Sequence, residues 1–127
     1  MHILIKKRVA VIDDDVSIRE AVSGIVRSYG FDTIVFESGA DFLNSGRIDE
    51  AFCAVIDVQM PGLGGLDVQR RLAEDSRKLP LIFMTARPDE RVRALAMAGG
   101  ALGFFAKPVD GDELLRLIEI ARAGALA

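Results

Sequence analysis

The chain has 127 residues, half of them hydrophobic, and its 16 basic and 19 acidic side chains give a formal charge of −3. That length suits one domain with its own buried core, while the acidic balance argues against gripping nucleic acid, which takes a basic face. No apolar stretch approaches the roughly 20 residues of a membrane span, and the amino terminus carries no secretory apolar region.

In chain order, His2 lies at a terminus expected to fray, so the one imidazole is not expected to serve catalysis. Val9-Ala10-Val11-Ile12 reads as a short β-branched strand that stops at Asp13-Asp14-Asp15. Ile18, Ala21, Val22, Ile25, Val26 and Tyr29 then recur at helical spacing, and Gly30 ends the helix. A second strand is expected over 32–36, and Ser38 caps a short helix holding Phe42 and Leu43 that closes around 44–46. The third strand, 52–56, delivers Asp57 to the lip of a sheet before the Pro61-Gly62 breaker. Cys53, within that apolar run, cannot form an internal disulfide and reads as a small core residue, with a reducing cytoplasm as the default compartment.

Leu66, Gln69, Arg70 and Leu72 mark a third helix running to about 77. The continuous apolar run Leu81-Ile82-Phe83-Met84 ends at Thr85. A helix over about 89–98 is expected to turn Val92, Leu95 and Ala96 inward, and Gly99 and Gly100 break it. A fifth strand near 103–106 stops at Lys107-Pro108, and a last helix over 112–123 turns Leu114, Leu117, Ile118 and Ala121 inward. Five strand-then-helix units predict an α/β fold, a parallel sheet covered on both faces. Periodicity alone leaves the strand order open. Ligands of such sheets bind beyond the carboxyl ends of the strands, where the strand order reverses, and the polar residues there are Asp13, Asp14, Asp57, Thr85 and Lys107.

An isolated Asp after a strand is ordinarily a turn residue. Several carboxylates in one crevice are different, because two charges about 4 Å apart repel by roughly 4 kcal/mol at an effective dielectric near 20. A hard divalent cation removes that cost, and an all-oxygen set suits Mg²⁺ better than zinc. Beside it, an Asp57 oxygen can attack a phosphoryl group in line, the Thr85 hydroxyl can donate to one phosphoryl oxygen, and Lys107 can offset the charge of another. The product is an acyl phosphate on Asp57.

Ile12-Asp13-Asp14, Asp57 with Met60-Pro61-Gly62 and Gly65, Thr85-Ala86 and Lys107-Pro108 together resemble the receiver domain of bacterial two-component response regulators. The resemblance covers essentially the whole chain, 1–127, in the right order. It implies a flavodoxin-like (βα)5 three-layer sandwich with strand order 2-1-3-4-5, and Asp57 as acceptor of a phosphoryl group from a sensor histidine kinase. It further implies Mg²⁺ (or Mn²⁺) held by Asp14, Asp57 and the Gln59 backbone carbonyl, with Asp13 acting through metal-bound water and Asp15 structural at the helix start. Thr85 and Phe104 would be switch residues, although Phe104 also reads as an ordinary core aromatic, and Lys107-Pro108 would be cis. The switched surface is the helix 4–strand 5–helix 5 face, where Arg91, Val92, Leu95, Met97 and Phe105 are candidates for a phosphorylation-dependent homodimer contact. Gln59 and Arg87, each two residues beyond a site residue, are placed to tune hydrolysis of the acyl phosphate.

Ser17-Ile18-Arg19-Glu20, Phe36-Glu37-Ser38 and Gln69-Arg70-Arg71-Leu72 are most similar to receivers of FixJ- and NarL-type transcription regulators. No DNA-binding helix-turn-helix follows the last helix, so the chain is expected to be a stand-alone receiver, such as a phosphorelay shuttle, or a receiver cut from its output domain. Gly103, Gly99-Gly100-Ala101 and Val109 depart from the commoner receiver pattern and are expected to loosen the approach to strand 5. A haloacid-dehalogenase-like phosphohydrolase would carry a second Asp where Gln59 stands, and glutamine cannot be its general acid. A flavodoxin-like electron carrier would need a Ser/Thr/Gly-rich phosphate cradle in place of Asp13-Asp14-Asp15. A receiver, by contrast, is not a turnover enzyme and hydrolyses only its own phosphate.

Overall fold

The computed structural model describes residues 8–126, so the expectation for His2 lies outside the described residues. Five parallel strands, β1 (Arg8–Ile12), β2 (Asp32–Phe36), β3 (Ala51–Asp57), β4 (Leu81–Thr85) and β5 (Gly103–Ala106), lie in the order β2-β1-β3-β4-β5. They alternate with α1 (Val16–Ser28), α2 (Gly39–Leu43), α3 (Gly65–Glu74), α4 (Glu90–Ala98) and α5 (Gly111–Leu126). This is the flavodoxin-like order that the resemblance implied.

The central strand β3 is buried at all seven positions, as a strand covered on both faces must be. Successive side chains serve opposite layers. Ala10, Ile12, Ala54, Ile56 and Phe83 pack with Phe42 of α2, Val68 and Leu72 of α3 and Ala96 of α4. Val9, Val11, Cys53, Val55, Ile82 and Met84 pack with Val22 and Val26 of α1 and with Leu114, Leu117 and Ile118 of α5. Cys53 is thus a core residue, and burial pushes its thiol pKa up to about 12. Chain direction across the sheet reverses between β1 and β3, which opens a crevice beyond their carboxyl ends.

Side-chain caps start the helices at that end. Asp15 accepts from the Ser17 and Ile18 N–H groups (2.8 and 3.3 Å), and Ser38 accepts from Asp41 N–H (3.0 Å). Asp89 accepts from Arg91 and Val92 N–H (2.8 and 3.3 Å). Each such cap contributes about 1 kcal/mol.

Several expectations need correction. The third helix ends at Glu74 rather than near 77, because Ser76 takes a left-handed φ of 56° and the Arg77 N–H turns back to Leu72 O at 2.9 Å. On α4 the inner stripe is only Val92 and Ala96; Leu95, about 100° round the helix from Ala96, is 57 % exposed. On α1, Ala21 and Tyr29 face outward and Ser23 is buried instead. A 3-10 turn, Ile48–Glu50, was not anticipated. Two glycines at the approach to β5 are closely packed rather than loose, for a Cβ on Gly103 would collide with Leu117 Cδ1 and one on Gly99 would meet the Gln69 amide at 2.6 Å, while Gly100 has open space around it. Gly99 and Gly103 are sites of close approach, where a neighbouring side chain occupies the space.

Candidate functional site

Four strand ends supply the site. Asp13, just past β1, is fully buried, and each of its polar groups has a partner. Its N–H donates to Phe36 O (3.2 Å), its carbonyl accepts from Arg19 Nη1 (2.8 Å), Oδ1 accepts from Asp15 N–H (2.9 Å) and Oδ2 from Lys107 Nζ (2.8 Å). Asp57 ends β3 at 5 % exposure; its Oδ1 accepts from Gln59 N–H (3.1 Å) and its Oδ2 from the same Lys107 Nζ (3.2 Å). Asp14 is exposed, and one carboxylate oxygen from each of Asp13, Asp14 and Asp57 lies within 4.8 Å of the others. One ammonium thus spans two buried carboxylates while a third stands at the entrance.

The electrostatics follow from that layout. Burial raises the Asp57 pKa and the Asp13 charge adds to the rise, against which the Gln59 N–H and the Lys107 ammonium work only in part. Burial alone would lower the Lys107 pKa, but its hydrogen bonds to Asp13 and Asp57 and the charges of those two carboxylates together outweigh it, so the net shift is upward.

Thr85 ends β4 and is buried, but its hydroxyl turns to its own loop: Oγ1 accepts from Arg87 N–H (3.1 Å) and donates to Arg87 O (3.2 Å). Phe104, on the edge strand β5, is half-buried, with its ring 6.5 Å from that of Phe83 and tilted by 44°. The side chains of Gln59 and Arg87 are exposed, and the Lys107-Pro108 bond is cis. The structure therefore gathers Asp13, Asp14, Asp57 and Lys107, and keeps Thr85 and Phe104 on the adjoining strands β4 and β5. Reasoning from the sequence missed Arg19. Its partner is a backbone carbonyl, which leaves no complementary residue to read.

Gly65 fixes how closely α3 approaches this centre. A Cβ there would sit 2.7 Å from Asp57 O and 2.8 Å from Phe83 Cε1, a backbone group and a buried ring with little room to yield. Gly65→Ala should cost roughly 1–3 kcal/mol through overpacking, read as a lower urea midpoint at unchanged slope. A midpoint equal to the parent's would refute the close fit.

Residues 9–119 match the response regulator receiver domain. The chain belongs to that family. This receiver is 40 % identical over 111 residues to the response regulator protein TodT of Pseudomonas putida, a match covering 87 % of the chain and 49 % of TodT. It is 39 % identical over 116 residues to Nodulation protein W of Bradyrhizobium diazoefficiens, covering 91 % of the chain and 51 % of that protein. The transcriptional regulatory protein FixJ of the same organism is 34 % identical, with 91 % of the chain and 57 % of FixJ covered. Among solved structures, the response regulator StyR superposes with a TM-score of 0.87 at 36 % identity, over 95 % of this receiver and 61 % of StyR. FixJ-N follows the same fold with a TM-score of 0.81 at 25 % identity, covering 91 % of this chain and 93 % of that one.

The receiver spans about half the length of the curated relatives TodT and Nodulation protein W. Family membership makes it the receiver module of a response regulator. Among the described residues no helix is long and apolar enough to cross a membrane.

Proposed function

We propose that Asp57 accepts a phosphoryl group from a phosphohistidine of a sensor kinase, and that this event switches the α4–β5–α5 face. The observation carrying the reading is the Lys107 ammonium bridging buried Asp57 and Asp13, with Asp14 beside them. The donor set is all oxygen, clustered and partly open, which fits Mg²⁺ or Mn²⁺. Asp14, Asp57 and the Gln59 backbone carbonyl would hold the ion, and Asp13 would act through its water. When bound, such an ion neutralises negative charge on the phosphoryl oxygens.

Asp57 supplies the nucleophile: a carboxylate oxygen forms the new O–P bond as the donor N–P bond breaks, and the histidine nitrogen keeps the electron pair. Lys107 already faces that carboxylate and moves its ammonium to a phosphoryl oxygen. Thr85 gives up its bonds to Arg87 and donates to another, which releases the β4–α4 loop, and Phe104 turns into the space vacated. The exposed side chains of Arg91, Leu95 and Met97 on α4 form the surface on which a second copy pairs after phosphorylation. Val92 and Phe105 take less part, because both are half-buried against the two cores. Gln59 and Arg87, exposed beside the site, control water access to the acyl phosphate. The chain is a single receiver domain acting in the cytoplasm. Its relatives TdiR and FixJ are named transcriptional regulatory proteins, so transcription is the output proposed for the longer regulator.

The test is intact-mass measurement after incubation with Mg²⁺ and acetyl phosphate. The parent should gain one phosphoryl group only when Mg²⁺ is present, and Asp57→Asn should gain none. Failure of the parent to gain mass, to bind Mg²⁺ and to bind beryllofluoride would leave the fold as a docking module without phosphoacceptor chemistry.

A further inference from the structure

Arg19 has no part in the chemistry proposed for Asp57, yet its side chain is only 13 % exposed and reaches back from α1 to the acidic loop. Nη1 donates to Asp13 O at 2.8 Å, and Nη2 lies 3.8 Å from Glu37 Oε1. Glu37 is 77 % exposed, so that ion pair contributes little and the bond to the carbonyl is the important one. The carbonyl belongs to the peptide joining Asp13 to Asp14. A peptide is planar, so holding its oxygen also fixes the amide nitrogen and Cα of Asp14. The Asp13 N–H is already tied to Phe36 O, and Asp15 N–H to Asp13 Oδ1. With Arg19 in place, both peptides flanking Asp13 are oriented, and so is the turn that aims Asp13 and Asp14 at the crevice. Without it, the peptide between the two carboxylates loses the partner of its oxygen and is free to rotate.

We propose that Arg19 is a positioning residue for the cation: it orients the Asp13–Asp14 peptide so that both carboxylates stand ready before the ion arrives. The proposal rests on the metal-assisted phosphoacceptor reading given above. It also predicts a sign. A guanidinium is a permanent positive charge, and through space it repels an incoming cation. If charge were its whole effect, deleting it would tighten Mg²⁺ binding. Loss of positioning weakens binding instead.

Calorimetric titration of Mg²⁺ into the phosphate-free chain reads this directly. Arg19→Ala should weaken Mg²⁺ binding roughly tenfold, the lower end of what removing an outer-shell partner costs. Arg19→Lys keeps the charge and one donor but loses the planar fork, so its affinity should fall between those of parent and Arg19→Ala. In the metal-free state, amide exchange at Asp15 should quicken in Arg19→Ala while that at Val55 and Phe83, in the sheet, stays parental. Equal or tighter Mg²⁺ binding by Arg19→Ala, or unchanged Asp15 exchange, overturns the assignment. Should Arg19→Ala fail to fold, parental Mg²⁺ affinity in Arg19→Lys overturns it equally. If the parent takes phosphate on Asp57 and Arg19→Ala binds Mg²⁺ as the parent does, the positioning role alone falls. A parent that binds no Mg²⁺ and takes no phosphate brings down both readings.

Discussion

Asp57→Asn should make the metal-free receiver more stable, and Mg²⁺ should reverse that order. In the parent, two buried carboxylates share one ammonium, and oxygens of Asp13, Asp14 and Asp57 all lie within 4.8 Å of one another. At such separations two like charges repel by roughly 3 kcal/mol at an effective dielectric near 20, a cost the lysine offsets only in part. An amide of the same shape keeps the acceptor for Gln59 N–H and removes the charge, while its Nδ2 stands where Oδ2 accepted from Lys107 and leaves that ammonium to Asp13. The expected gain is about 1–2 kcal/mol, or about 4–8 °C in melting temperature for a domain of this size. A ligand at a hundred times its dissociation constant adds about 2.7 kcal/mol to the state that binds it. Saturating Mg²⁺ should therefore carry the parent past the variant, which has lost a ligand. Thermal melts with and without Mg²⁺ check both halves; a variant less stable than the metal-free parent would contradict the strain at Asp57.

Lys107→Ala should have the opposite effect and a larger one. It removes the ammonium that bonds both buried carboxylates, whose charges then face each other with only backbone N–H partners among the described residues. Breaking a buried pair in this way costs roughly 3–5 kcal/mol. Its pH dependence has a definite sign. Burial and Asp13 raise the Asp57 pKa in the folded state, so between the ordinary carboxylate pKa and the raised one the folded chain holds protons that the unfolded chain has released. Stability therefore falls as pH rises through the folded-state pKa of Asp57. Without Lys107 that fall should be larger and extend to higher pH, and acidification should recover part of the loss. In the parent, the raised Lys107 pKa contributes stability that is complete below the ordinary lysine value and is lost as pH climbs through the folded-state one. Urea unfolding of both proteins at pH 5 and pH 8 measures the difference; a Lys107→Ala penalty that does not shrink at the lower pH would argue against carboxylate repulsion as its cause.

The layers of this fold were legible because their cause is local. Apolar runs such as 9–12 and 81–84 stop abruptly at Asp13 and Thr85, and that pattern survives every detail of packing. Helix ends were harder. Ser76 adopts its left-handed turn because the chain must double back toward Pro80, and nothing about a serine announces it. Val92, Leu95 and Ala96 share the i, i+3, i+4 spacing of one helix face, whereas α4 buries only a thin stripe of it, Val92 and Ala96. Strand order followed from the family motif and not from periodicity, since every order of five βα units presents the same alternation. At the site, Asp13, Asp14, Asp57 and Lys107 were readable as strand-end charges, and the structure brings them together. The Thr85–Arg87 and Arg19–Asp13 bonds were not, because each ends on a backbone atom that every residue possesses.

Asp13, Asp14 and Asp57 carry three negative charges and Lys107 one positive, which leaves the crevice two units negative when all four are ionised. Arg19 and Glu37 cancel each other beside it. A divalent cation would bring that sum to zero and a monovalent one would stop halfway, so valence itself becomes a criterion of selection beside the all-oxygen donor set. A monovalent ion such as potassium would leave the pocket uncompensated.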